Sequence, residues 1–247
     1  MKLKVSSFNI QHGVNHAQRL AGEKPQVDLD RMVNHIAEMG VDIVGIQEIY
    51  NCPPDGLFPD QPGYIAEKLG WHSAFAKAID VVRKDGVKRP YGVAIISKYP
   101  IISMNTFHIA VPEDERIYVG KSYEERVLMV CQIDVDGKVI TFMNSHFGLT
   151  PDAKELATKT VLAEKAKIEG PVIFTGDLNL RPHMEWYPML AEAFTDCIEK
   201  NTDPEVDPAV RIDYIFVDGG IKPLYFEKRK EIISDHRAIW AEVEIED

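Results

Sequence analysis

Hydrophobic and polar positions follow one pattern twice along the chain. Residues 4–10 read as a strand ending near Asn9. A helix over Leu29–Met39 follows, with Leu29, Met32, Val33 and Ile36 at helical spacing, Asp28 as N-cap and Gly40 as the stop. The apolar run 41–46 then reads as a buried strand and terminates in Gln47-Glu48. The second copy opens with a strand over 138–144 and the Ser145-His146 turn region. Thr150 caps the next helix, with Pro151 at its first position, where the missing N–H costs nothing. Ala153, Leu156, Ala157, Val161 and Ile168 give that helix one apolar face, and Gly170-Pro171 ends it. A short strand over 172–174 runs into Gly176-Asp177-Leu178-Asn179. Each copy is therefore strand, helix, strand, with an amide near the end of the first strand and a carboxylate at the end of the second. The pattern fits either a shared α/β unit or a true pseudo-twofold arrangement.

Further strands are expected over 92–97, 127–135, 212–217 and 238–245, the last alternating Ile239, Ala241, Val243 and Ile245 against Trp240, Glu242 and Glu244. Two sheets stacked face to face with helices outside accommodate this series. Long loops are expected over 51–64, 77–91, 111–125 and 199–210, and loops of that length are often functional. With no linker or low-complexity segment in view, residues 1–247 read as one domain.

Composition narrows the function classes. The chain has 28 Lys and Arg against 39 Asp and Glu, a net charge of −11, which argues against sequence-independent binding to DNA. Its three cysteines, Cys52, Cys131 and Cys197, are far apart and odd in number, which argues against a disulfide framework and against a Cys-rich zinc site. No apolar run approaches the ~20 residues of a membrane helix. Polar residues interrupt the first segment too early for a signal peptide, so a cytoplasmic location is the default expectation.

Candidate chemistry sits where apolar strands stop: Asn9, Glu48, His146, Asp177, Asn179, Asp213, Asp235 and His236. Any one could be a turn residue or a helix cap; eight in this position point to a cleft. Hard divalent cations take oxygen ligands, and Mg²⁺ commonly takes one or two carboxylates plus waters and substrate phosphate. Glu48 is the leading ligand, Asp235 the second candidate, and Asn9 can offer an amide oxygen. His12 and His16 are four apart but lie in a loop-like region without partners, so they read as structural or solvent-facing.

The ordered set Phe8-Asn9-Ile10, Gln47-Glu48, residues 92–97, Asn144-Ser145-His146, Gly176-Asp177-Leu178-Asn179, Arg211-Ile212-Asp213-Tyr214 and Ser234-Asp235-His236 resembles the endonuclease/exonuclease/phosphatase superfamily. That superfamily of metal-dependent phosphoesterases includes DNase I, apurinic-site endonucleases, sphingomyelinases and inositol-phosphate phosphatases. The resemblance implies a DNase I-like α/β fold, a four-layered α/β/β/α sandwich of two stacked mixed sheets flanked by helices. It also implies Mg²⁺, with Mn²⁺ as a substitute, held by Glu48 with Asn9 beside it and Asp235 close by. Asp177 would orient or deprotonate the attacking water, and Asn179 would hold a phosphate oxygen or position Asp177. His236 would act with Asp213, and His146 would contact the scissile phosphate. Arg126 matches a family habit of an arginine leading a strand beside the site, and also fits a structural ion pair. Tyr118 and Tyr123 lie where some members bring a phenol to the phosphate.

The substrate stays open. Apurinic-site endonucleases usually carry a tyrosine-containing segment where this chain has His146, and the acidic charge disfavours a long nucleic-acid track. Residues 77–89 carry Lys77, Arg83, Lys84, Lys88 and Arg89 against Asp80 and Asp85, either a solvated loop or an anion-binding lip. Leu57-Phe58 is the one exposed-looking apolar tip, weak grounds for membrane docking. The expectation is a phosphatase or phosphodiesterase on a small phosphorylated molecule. A DNase I-like nuclease is the alternative, and a catalytically inactive binding module a remote one. Oligomeric state is open.

Overall fold

The computed structural model describes residues 1–52, 60–82, 85–116, 123–200 and 211–246. The first half contains β1 (Lys2–Asn9), α1 (His16–Leu20), α2 (Leu29–Met39), β2 (Ile43–Tyr50), α3 (Gln61–Leu69), β3 (His72–Val82), β4 (Lys88–Ser97) and β5 (Ile101–Ile109). Then follow β6 (Arg126–Val135), β7 (Lys138–His146), α4 (Pro151–Lys165), β8 (Val172–Asp177), α5 (Trp186–Ala193) and β9 (Thr195–Asp196). The last strands are β10 (Asp213–Asp218), β11 (Ile221–Lys228) and β12 (Ile239–Ile245).

The strands form two six-stranded mixed sheets, ordered β11-β12-β1-β2-β4-β3 and β5-β6-β7-β8-β10-β9. Each has one parallel pair at its centre, β1 with β2 and β7 with β8, and antiparallel pairs on both sides. Position by position the two sheets share one pairing pattern, so the repeat read in the sequence is a repeat of topology. Leu3, Val5, Ile95, Met129, Phe142, Ile173 and Val243 are buried between the sheets. On the outer faces, Met32, Ile36 and Met39 of α2 pack on Phe8, Val44 and Ile46, while Ala157 and Val161 of α4 and Leu190 of α5 pack on Phe174 and Phe216. The result is helix, sheet, sheet, helix, the expected four-layered sandwich.

Local chemistry explains the element ends. Asp28 caps α2 by accepting from the Arg31 N–H, and Gly40 stops it in the left-handed conformation. Thr150 occupies the N-cap of α4, but its hydroxyl makes no capping bond; Pro151 and the Lys154 N–H to Thr150 carbonyl bond (3.1 Å) start the helix. Ile168 lies beyond the end of α4.

The expected loop over 77–91 is largely the β3–β4 hairpin, and the expected loop over 51–64 ends in α3, which Asp60 caps. Both expectations treated charge and proline as loop signals. β3 is instead an edge strand with charges on its open face, and Pro62 sits in the first turn of a helix, where proline is tolerated. β11, also an edge strand, carries Lys222 and Pro223 and is hidden for the same reason, whereas in the edge strand β5 the polar Ser103, Asn105 and Thr106 break the apolar pattern. Leu57-Phe58, Tyr118, Arg83, Lys84 and the stretch 201–210 lie outside the described residues. No described helix is long and apolar enough to cross a membrane.

His35 is buried in α2 beside Phe8, and neither ring nitrogen has a hydrogen-bond partner among the described residues. Burial first, then the charges of Arg229 and Arg31, hold its pKa below the ordinary 6.5 against the opposing pull of Glu231 and Glu38. The unfolded chain therefore takes up this proton at a higher pH than the folded one, and stability falls as pH drops below 6.5. His35→Leu should flatten that decline, as measured by urea unfolding between neutral and mildly acidic pH.

Candidate active site

Strand register assembles the site. His146 at the end of β7 lies level with Asp177 at the end of β8, and Asp177 level with Asp213 at the start of β10. In the other sheet Asn9 pairs with Gln47, one residue before Glu48. The two sheets thus deliver their polar ends to one place.

Asn9 joins the halves. Its amide nitrogen donates to Glu48 Oε1 (2.9 Å) and to Asp177 Oδ2 (3.1 Å), while its amide oxygen accepts from the Gln11 N–H (3.0 Å). Asn9 thus meets both carboxylates as a donor, and its oxygen, the atom expected to face a metal, accepts one backbone N–H.

Asp177 is buried and central. Its Oδ1 accepts from the Asn179 N–H (3.1 Å), and its Oδ2 lies 3.4 Å from His146 Nε2 and 3.6 Å from His236 Nε2. Burial and the neighbouring Asp213 push its pKa up, against the opposing effects of His236, Asn9 and the Asn179 N–H. Asp213 Oδ2 holds His236 Nδ1 at 2.9 Å. Burial works against charge on His236, but the hydrogen bond and charge of Asp213, with Asp177 and Asp235 beyond, outweigh it and raise the pKa to about 10. His146 has the opposite environment. Complete burial, then Arg126 and His236, push its pKa well down, and its Nε2 lies 3.2 Å from the Asn179 amide nitrogen. One histidine is held charged and the other neutral, each beside the same carboxylate.

Glu48 stands on the other flank. It sits at a bulge in β2 with φ +55°, a left-handed conformation rare for a side chain of its size. Gln11, His12 and Asn179 are left-handed as well, and of the described non-glycine residues only Asp136, in the β6–β7 turn, shares that conformation away from this site. Backbone strain of this kind persists where the surroundings impose it and gathers at functional sites. His12 Nδ1 lies 3.7 Å from Glu48 Oε2, with its ring against Tyr50 and Tyr91. The reading of His12 as partnerless is therefore overturned, because the Gln11–Gly13 turn folds it onto Glu48. Gln11 Nε2 donates to Asp235 Oδ2. Glu124, half-buried with its pKa raised by burial, is ion-paired to Arg126. Gln11, His12 and Glu124 carried no sequence signal that set them apart from loop residues.

The remaining expectations divide. Arg126 heads β6, buried, in an ion pair with Glu124. The Tyr123 hydroxyl accepts from the Val111 N–H and its ring lies under Arg116. The proposed anion-binding lip is weakened: Lys77 is held by Asp80 (3.0 Å), and Arg89 is buried against Asp85 (2.7 Å).

Asp177, Asp213 and His236 each place a donor atom within 4.8 Å of the others, a grouping that could hold a metal ion. Asp177, Asp213 and Asp235 surround the His236 imidazolium and Asn9 links Glu48 to Asp177, an excess of acid that would repel a phosphate. Hard oxygen donors in such excess fit a divalent cation.

The profile of the Endonuclease/Exonuclease/phosphatase family matches residues 6–236. The chain belongs to that family. Solved structures agree on the fold. An endonuclease/exonuclease/phosphatase of Beutenbergia cavernae superposes with TM-score 0.77 at 20% identity, covering 99% of this chain and 72% of that one. A mannosyl-6-phosphatase of Bacteroides thetaiotaomicron gives 0.72 at 18% identity, covering 98% and 100%. ANGEL2, a 2',3'-cyclic phosphatase, gives 0.73 at 16% identity, covering 98% and 95%. No curated protein matches the sequence.

Proposed function

We propose that this member of the endonuclease/exonuclease/phosphatase family is a divalent metal-dependent hydrolase, a phosphatase or phosphodiesterase acting on a small phosphorylated molecule. The observation that carries the reading is the junction at Asp177 Oδ2, which faces a neutral His146 at 3.4 Å and a charged His236 at 3.6 Å. Phosphoryl transfer asks a protein chiefly for positioning and charge compensation, and this junction offers both.

Asp177 takes the proton of the attacking water, a role suited to a buried carboxylate of raised pKa. Asn179 fixes its orientation through the 3.1 Å N–H bond. His236, kept cationic by Asp213, holds a phosphate oxygen and can protonate the leaving oxygen. His146 contacts the phosphate. Glu48 and Asp235 would hold Mg²⁺, or Mn²⁺ in its place, with Asn9 steadying Glu48. When bound there, the ion supplies positive charge for the phosphate and lowers the pKa of its water.

The nuclease reading is weakened by the net charge of −11 and by the pairing of Lys77 and Arg89 with carboxylates. Two of the similar structures are named as phosphatases, a mannosyl-6-phosphatase and a 2',3'-cyclic phosphatase, in keeping with phosphoester chemistry.

Protein stripped with EDTA should lose hydrolysis of an aryl phosphate ester and recover it with Mg²⁺ or Mn²⁺. Glu48→Gln should raise the metal concentration for half activity by about ten-fold or more. Full turnover in excess chelator would overturn the proposal, and so would efficient cleavage of plasmid DNA with phosphate monoesters untouched.

A further inference from the structure

Beside the reaction centre, on the open edge where the two sheets end, lies a cleft of about 260 Å³. Ile198, Phe226 and Ile239 give it an apolar floor, and Asp213 and His236 form the wall it shares with the site. The rest of the lining is Ile212, the Asp235 carboxylate and three cations, Arg211, Lys228 and Arg237.

Two of these cations, Lys228 and Arg237, differ from the others around the site. Lys77 and Arg89 are held by carboxylates, and Arg126 by Glu124. Lys228 is half-buried at the end of β11 and makes no ion pair with a described residue. Arg237 follows His236 and is likewise without an ionic partner among the described residues. Arg211 is fixed by Asp196 at 2.6 Å and by the Tyr187 hydroxyl at 2.8 Å, with only 7% of its side chain exposed. Its Nε is buried without a hydrogen-bond partner among the described residues. A buried donor left unpaired costs free energy unless something accepts from it. In a chain of net charge −11, an apolar-floored cleft whose lining carries three cations against Asp213 and Asp235, two of the cations and one guanidinium N–H being without a partner among the described residues, is suited to an anion.

We propose that this cleft binds a second phosphate of the substrate, so that the preferred substrates are small molecules carrying two phosphates, one at Asp177 and one at Lys228 and Arg237. The inference rests on the phosphoesterase reading and adds the substrate class. The apolar floor takes the carbon skeleton between the phosphates. The volume admits a group of sugar size and excludes a duplex.

The test compares kcat/KM for a sugar bisphosphate and the matching sugar monophosphate, with Mg²⁺ present, and measures calorimetric binding of both. Wild-type protein should prefer the bisphosphate by about ten-fold or more in each measurement. The Lys228→Gln/Arg237→Gln double variant should lose that preference while hydrolysing a simple aryl phosphate at the wild-type rate. A control double variant, Lys159→Gln/Lys167→Gln, makes the same change in total charge on α4 and just beyond it, and should keep the preference. Equal handling of the two sugars by wild-type protein would overturn the proposal. An equal loss in the control would also overturn it, by assigning the effect to the long-range field. Loss of aryl phosphate hydrolysis by wild-type protein would instead count against the parent reading, and the binding comparison would still decide whether the cleft takes the second phosphate.

Discussion

Asp177→Asn and His236→Ala should each lower kcat/KM by a factor on the order of 10²–10⁴, the range for a positioned acid or base. Asp177 Oδ2 faces both histidines, and no other carboxylate oxygen is placed 3.4 Å from His146 and 3.6 Å from His236 among the described residues. An amide at position 177 keeps the shape and the Asn179 N–H bond but cannot accept the proton from water. His236 owes its charge to Asp213, so Asp213→Asn, which can still hydrogen-bond, should cost less than removing the ring. It should also lower the pH at which the imidazolium gives up its proton, because the charge that raises the pKa to about 10 is gone. The measurement is kcat/KM for the variants side by side on one substrate, with folding confirmed by circular dichroism. Near-wild-type activity in Asp177→Asn or in His236→Ala would refute the roles assigned here.

The reason these residues could be read from the sequence is their position. Strands that cross a buried sheet are long apolar runs, so Asp177 after Val172-Ile173-Phe174 and Glu48 after Val44-Gly45-Ile46 stand out as breaks. The pairing of Asp213 with His236 needed tertiary register, yet both sit at strand boundaries, one opening β10 and one shortly before β12. What could not be read is the second layer. His12 reaches Glu48 through two consecutive left-handed residues, Gln11 and His12, and neither is a residue type that announces that conformation. Glu124 looks like any charge in an acidic loop until burial and Arg126 distinguish it. Edge strands were missed for a related reason. β3, β5 and β11 each have an open side that tolerates charged or polar residues, so the hydrophobic alternation that revealed β12 is diluted in them.

Asn144, singled out in the sequence only for its neighbour His146, has a structural role that predicts a large loss of stability on substitution. It is fully buried on β7 and bridges the two sheets. Its amide nitrogen donates to the carbonyls of Ile46 on β2 and Ala94 on β4, both at 2.9 Å. Its oxygen accepts from Gln47 Nε2 at 2.7 Å and from the Thr175 hydroxyl at 3.2 Å. Asn144→Leu keeps the branching at Cγ with a somewhat larger volume and removes every one of these bonds, leaving polar groups buried with fewer partners. The expected cost is about 3–5 kcal/mol. For a chain of this length that is a drop in Tm of roughly 6–20 °C. Gly45 serves the same contact from the facing strand, since a Cβ there would lie 2.0 Å from Thr175 Oγ1 and 2.9 Å from Asn144 Oδ1. Gly45→Ala must push the sheets apart or expel the hydroxyl, and should destabilise by about 1–3 kcal/mol. If the clash is the cause, Thr175→Ala, which deletes the nearest atom, should recover part of the loss in the double variant, a non-additivity that distinguishes it from a change in strand propensity. Urea unfolding of Asn144→Leu, of the two single variants Gly45→Ala and Thr175→Ala and of their double tests this, and wild-type stability in Asn144→Leu would show that the bridge contributes nothing.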